Sequence, residues 1–265
     1  MTLRAPGKAI TLKPVRANVG IEMAYRRRLD ALVDAMNKSV LYWITAAYRA
    51  NPPAMAMDAT PANEMRKIMQ KLARRWIKQF EEAAVTIAAA FANETKDVAD
   101  RVMMKALKDA GFTVPFKASP AMKDALDSVV GENVALIKSI PSQQFTKIES
   151  AVMRSVQAGR DLKTLQSDLL TLGAKSKNRA AFIARDQNNK ATAAMSKARR
   201  LSLGLTKSKW VHSGGGVHPR PSHVAADGTI YETAVGCMID GEYIMPGELP
   251  NCRCQARAVI PGFDD

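Results

Sequence analysis

The sequence predicts a mostly α protein with a small C-terminal α+β module: a long helical body followed by a turn-rich small-sheet domain. Three observations predict it. Apolar residues recur at three- and four-residue spacings through most of the first 200 positions. Aromatic residues make up only 6% of the chain while alanine and methionine are abundant, a bias toward helix. At Gly204 the helical period stops, and short apolar pieces begin to alternate with Gly, Pro, Asp and Asn. With 265 residues, 47% of them apolar and 24% charged, the chain can bury a sizeable core and is not disordered as a whole.

The first helix is predicted over Ile21 to Arg49, where Leu29, Leu32, Val33, Met36, Val40 and Ile44 fall on one face and Asn51-Pro52-Pro53 ends the pattern. Thr60-Pro61 places proline at a first helical position and opens a second helix, through Met65, Leu72, Trp76 and Phe80 to about Asn93. A third is predicted from Thr95 to Ala110, before Gly111. Ser119-Pro120 repeats the start signal ahead of Met122 to Val130. Further helices follow at Asn133 to Ile140, Ser142 to Ala158 after Pro141, and Asp161 to Leu172. Gly159 and Gly173 stand where C-terminal caps are expected. Lys175 to Leu203 reads as one unbroken helix, and the turn-rich module runs from about Lys207 to Ile260. The chain therefore divides into three regions: 1–131, helical and of unassigned role; 132–206, a helical body; and 207–265, the small module.

Lysine and arginine outnumber aspartate and glutamate 39 to 25, a net charge of +14 that favours polyanions or acidic protein surfaces. The excess is largest between Lys175 and Lys209, where ten basic residues face one acid, Asp186. Lys175, Lys177, Arg179, Arg185, Lys190, Lys197, Arg199 and Arg200 are the predicted contact residues on that helix, for DNA phosphates or for an acidic protein. The opening MTLRAPGKAITLKPVRANVG lacks the apolar stretch of an export signal, and Ala83 to Ala92 is too short to span a bilayer. The expectation is a protein made in a bacterial cytoplasm, with no membrane partner.

The module carries a set of motifs: Trp210-Val211-His212, then His218-Pro219-Arg220-Pro221-Ser222-His223 with Asp227-Gly228, and finally Pro250-Asn251-Cys252-Arg253-Cys254. In this order they resemble the C-terminal signature of the phage Mu F-like family of minor head, or head morphogenesis, proteins. Two upstream segments agree: Asn133-Val134-Ala135-Leu136-Ile137-Lys138-Ser139-Ile140-Pro141, and Ile183-Ala184-Arg185-Asp186-Gln187. The resemblance covers about Glu132 to Pro261. It implies a structural protein of tailed-phage heads, partnered by the portal and major capsid proteins and by packaged DNA, and acting in assembly and in genome packaging or delivery. The basic helix would then face either the DNA or the portal.

Three cysteines, an odd number clustered near the C-terminus, do not suggest a disulfide framework. His223, Cys252 and Cys254 offer the borderline-soft donors that suit Zn²⁺, with His218, Cys237 or Asp227 as a fourth ligand. On a regular strand Cys252 and Cys254 would point to opposite sides, so shared ligation requires a turn, for which Pro250-Asn251 is placed. The alternative is that the cysteines are small buried hydrophobes and His223 bonds a backbone carbonyl. A module this small needs either a metal staple or a packing partner. Asp227-Gly228 has the composition of a two-residue hairpin turn, and Gly214-Gly215-Gly216 lacks the sequence of a phosphate loop. Arg220, between two prolines, suits a salt bridge or an anion. No nucleophile, base and orienting group occur at a recognised spacing, so the expectation is a non-enzyme. The rival readings are a nucleic-acid-binding accessory protein outside the virion and a metal-dependent enzyme.

Overall fold

Asn18 starts the helical body by capping it. Its Oδ1 accepts from the amides of Gly20 and Ile21 at 2.8 and 3.3 Å, and α1 runs over Val19–Ala50. The computed structural model describes residues 9–50, 60–159, 162–215 and 218–262; the Asn51-Pro52-Pro53 stop and Gly216 lie outside the described residues. The remaining long helices are α2, Thr60–Asp109; α3, Pro120–Gln157; and α4, Leu162–Ser202. Ser119 opens α3, its Oγ accepting from the Met122 amide at 3.3 Å with Pro120 at the first helical position. Among the described residues no helix is long and apolar enough to cross a membrane.

Several predicted interruptions are absent. The helix predicted to restart at Thr95 is part of α2, because the Thr95 hydroxyl donates to the Phe91 carbonyl at 2.8 Å inside an unbroken helix. Pro141 lies within α3 and withholds one amide, yet the helix continues on both sides. Gly173 lies within α4 rather than at a cap, and a Cβ there would stand 3.1 Å from the Asn37 side chain. Asn37 Nδ2 donates to the Gly173 carbonyl at 3.2 Å, so glycine is present for a close approach. The cap at Gly159 is as predicted, with φ of 58°, and Gly204, where the helical period stops, has φ of 70°.

The chain folds as two compact units, one gathering the described residues of 1–22, 90–130 and 185–265, the other 23–89 and 131–184. This grouping cuts across the sequence regions 1–131, 132–206 and 207–265. In the second unit, Leu29, Val33, Met36 and Ile44 of α1 are fully buried, as are Phe80 of α2, Ile137 of α3 and Ala180 of α4. Within this core the Tyr25 hydroxyl donates to Asn133 Oδ1 at 2.8 Å.

The first unit contains the sheets. An antiparallel four-stranded sheet has the order β1 (Ile10–Thr11), β6 (Gln255–Ile260), β2 (Lys207–Val211), β3 (Ile230–Glu232). β4 (Cys237–Ile239) and β5 (Glu242–Ile244) form a separate hairpin, and the short helix α5 (Pro221–Ala225) precedes β3. Strand β1 comes from the region predicted to be helical. It pairs Ile10 with Ile260 and Thr11 with Val259, and Arg257 Nε donates to the Leu12 carbonyl at 2.7 Å. Gly236 has φ of 115°, and a Cβ there would stand 2.9 Å from the Ile244 carbonyl oxygen. Gly236→Ala is therefore expected to destabilise by about 2–3 kcal/mol in chemical denaturation, and a loss below about 0.5 kcal/mol would contradict this.

Candidate functional site

Strand β2 sets the centre of the site. Its alternation buries Ser208 and Trp210 on one face, and Trp210 is fully enclosed. Beside it, Pro221 at the start of α5 fixes the backbone so that His223 turns inward, where it is 3% exposed. The His223 ring meets the Trp210 ring edge-on, with centroids 5.2 Å apart at 88°.

The Pro-Asn-Cys-Arg-Cys segment reaches the same place because it is not a strand. Asn251 adopts φ of 60°, and the Cys252 amide donates to the Leu249 carbonyl at 2.9 Å, closing a turn before β6 begins. That turn brings both sulfurs onto one nitrogen: His223 Nδ1 lies 3.5 Å from Cys252 Sγ and 3.7 Å from Cys254 Sγ. All three side chains are buried, and their donor atoms lie within 4.8 Å of one another. The other ring nitrogen, Nε2, is buried with no hydrogen-bond partner among the described residues. His223 thus faces two thiols and not a backbone carbonyl. The hydrogen bond from the Cys254 thiol pulls Cys252 below the usual thiol range, and the same pairing pushes Cys254 up.

The I-A-R-D-Q segment of α4 holds this turn, a role the sequence did not disclose. Asp186 Oδ1 accepts from the Asn251 amide at 2.7 Å, and Arg185 donates to Asn251 Oδ1 at 3.4 Å. The lone acid of the basic tract is thus a positioning residue for the cysteine loop. Arg220 also braces it, donating to the Pro250 carbonyl at 3.0 Å in place of the expected salt bridge or anion.

The three candidates for a fourth ligand separate. His218 lines the same cleft as His223, Cys252 and Cys254, a space of about 600 Å³ that also touches His212 and Arg220. Cys237 lies on β4 beside a different groove, and burial pushes its thiol up. Asp227 Oδ1 accepts from the His212 amide at 2.8 Å. Asp227-Gly228 is not a hairpin turn: it joins α5 to β3, with Gly228 at φ of 86°.

The basic helix also departs from expectation. Arg199 and Arg200 are 5% and 3% exposed, which removes them from any set of external contacts. Arg199 clamps Asp100 through Nε and a terminal nitrogen at 2.8 and 2.6 Å, and donates to the Lys117 carbonyl at 2.9 Å. Its guanidinium lies 4.5 Å from the Phe116 ring centre. Burial lowers the pKa of Arg200. Lys177 pairs with Asp34 at 3.1 Å, Lys190 with Asp186 at 3.1 Å, and Arg179 donates to Ser139 at 2.9 Å. Lys197 is half-buried, and of the eight predicted contact residues only Lys175 is exposed.

Comparison with known proteins agrees with the motifs. The family described as Phage Mu protein F like protein matches residues 146–257, a span holding the Ile183–Gln187 segment and every C-terminal motif, but not the Asn133–Pro141 segment. An uncharacterized protein of Haemophilus influenzae is 29% identical over 266 residues, covering 97% of this chain. The chain spans 57% of the length of that relative. No solved structure matches. Residues 146–257, less than half of the chain, are thus similar to the phage Mu F-like family.

Proposed function

We propose that the protein is a minor head protein of a tailed bacteriophage, acting without catalysis at or near the portal in head assembly and in genome packaging or delivery. The observation that carries this reading is the family match over 146–257, the stretch whose motifs build the His223 site and its α4 brace. Portal and major capsid protein are its proposed partners, and the virion head its proposed location.

Packaged DNA is the proposed polyanion, and the surface that meets it is on α2, not α4. Arg66, Lys67, Lys71, Arg74, Arg75 and Lys78 are all exposed, and no acid interrupts them between Arg66 and Lys78. Lys67, Lys71, Arg74 and Lys78 recur at four-, three- and four-residue spacings and so share a face. Among the described residues, Glu64 and Glu82 partner the stripe at its ends, to Lys67 at 2.8 Å and Lys78 at 3.8 Å. Each lysine or arginine on a phosphate releases counterions, so reversing Lys71 and Arg74 to glutamate is expected to lower duplex affinity and flatten its salt dependence by about two contacts. An unchanged slope would remove α2 from DNA contact. Reversal of Lys175 alone is expected to have little effect.

The functional reading itself is tested by co-expression with the portal protein encoded in the same phage genome. Co-purification in a defined ratio is expected. A chain that binds duplex DNA but never portal or heads would instead be an accessory protein outside the virion.

A further inference from the structure

We infer that His223, Cys252 and Cys254 form a zinc site that fastens α5 to the loop entering β6. The nitrogen and the two sulfurs already stand at the nitrogen–sulfur separations a tetrahedral ion imposes. With Zn–S of about 2.3 Å and Zn–N of about 2.0–2.1 Å, a tetrahedral nitrogen and sulfur lie about 3.6 Å apart. The observed separations from Nδ1 are 3.5 and 3.7 Å. Two sulfurs converging on one imidazole nitrogen are not an ordinary hydrophobic arrangement. A small buried hydrophobe needs no nitrogen beside it, and a structural histidine ordinarily bonds a carbonyl or carboxylate.

The surroundings hold the set in place. Trp210 packs edge-on against the imidazole and fixes its plane. The Asn251 turn aims both sulfurs, and Asp186 and Arg220 hold that turn from two sides. Imidazole with two thiolates is a borderline-soft donor set, which selects zinc over magnesium or calcium. The three donors line the cleft of about 600 Å³, so the fourth position is reached from the cleft, by water or by the His218 imidazole on its wall. Cys237 and Asp227 take no part. The ion joins two pieces of chain 29 residues apart, from His223 to Cys252.

The test uses the full chain purified without chelator. Elemental analysis is expected to find about one zinc per chain, and cobalt(II) added to stripped protein is expected to give thiolate-to-cobalt absorption. Cys252→Ser and Cys254→Ser are each expected to lower metal affinity at least about ten-fold, whereas Cys237→Ser keeps it. Should the serine variants fail to fold, the cobalt spectrum of the wild-type chain decides. Absence of both zinc and thiolate-to-cobalt absorption in wild type would overturn the site, as would full metal retention in the folded Cys252→Ser, Cys254→Ser double variant.

Discussion

Trp210→Ala is expected to lower stability by about 3–5 kcal/mol, the usual loss when a fully buried tryptophan leaves a cavity its neighbours cannot fill. Trp210 is 0% exposed at the centre of the cluster formed by Tyr231, Cys237, Ile239, Ile244, Cys252 and Cys254. It also touches His223 and Tyr231 in edge-to-face geometry, at 5.2 and 6.5 Å between centroids. Its strand, β2, pairs with both β3 and β6, so a cavity there loosens both neighbours. Thermal unfolding should register a fall in Tm of about 10 °C, with Trp210→Phe recovering much of it. A midpoint within about 2 °C of wild type would show that Trp210 does not organise the module.

The second large effect concerns Arg199. Charge reversal of this residue is expected to unfold its surroundings, not to weaken an external contact selectively. Its guanidinium is enclosed by Asp100, the Lys117 carbonyl and the Phe116 ring, with side-chain exposure of 7% for Arg199 and 17% for Asp100. Asp100→Ala leaves a buried cation without its anion and should cost about 3–5 kcal/mol. Replacing both partners together, Asp100→Leu with Arg199→Met, should recover most of the loss, because no unpaired charge remains. Denaturant unfolding of the two single variants and the double tests this cycle. Additive losses would show that the pair is not coupled.

These two residues mark how far the sequence could be read. The spacing of Leu29, Val33, Met36 and Val40 identified α1 because a helix shows its buried face locally, every three or four residues. Gly173 was misread as a cap because its role is a close approach by Asn37, 136 residues away. Thr95 was misread as a start because its hydroxyl satisfies the Phe91 carbonyl within the helix. Strand β1 is two residues long and pairs with Ile260 and Val259 at the far end of the chain, so no local pattern marks it. Arg199 and Arg200 were visible as charge, but burial is a property of the fold, and Asp100 is no neighbour in sequence.

The His223, Cys252 and Cys254 set was legible as residue types, and the Pro250-Asn251 turn was the correct condition for their convergence. What the sequence lacked was the left-handed Asn251 and the Asp186 carboxylate that receives its amide. Asp186 belongs to a motif recognised by resemblance alone. The structure supplies the physical reason that the I-A-R-D-Q and P-N-C-R-C segments occur in one chain: one holds the other.

Quantitative mass spectrometry of purified phage heads tests the central claim most directly. This chain is expected within the heads, at far fewer copies than the major capsid protein. Its absence from heads, or a copy number equal to that of the major capsid protein, would overturn the minor-head-protein reading.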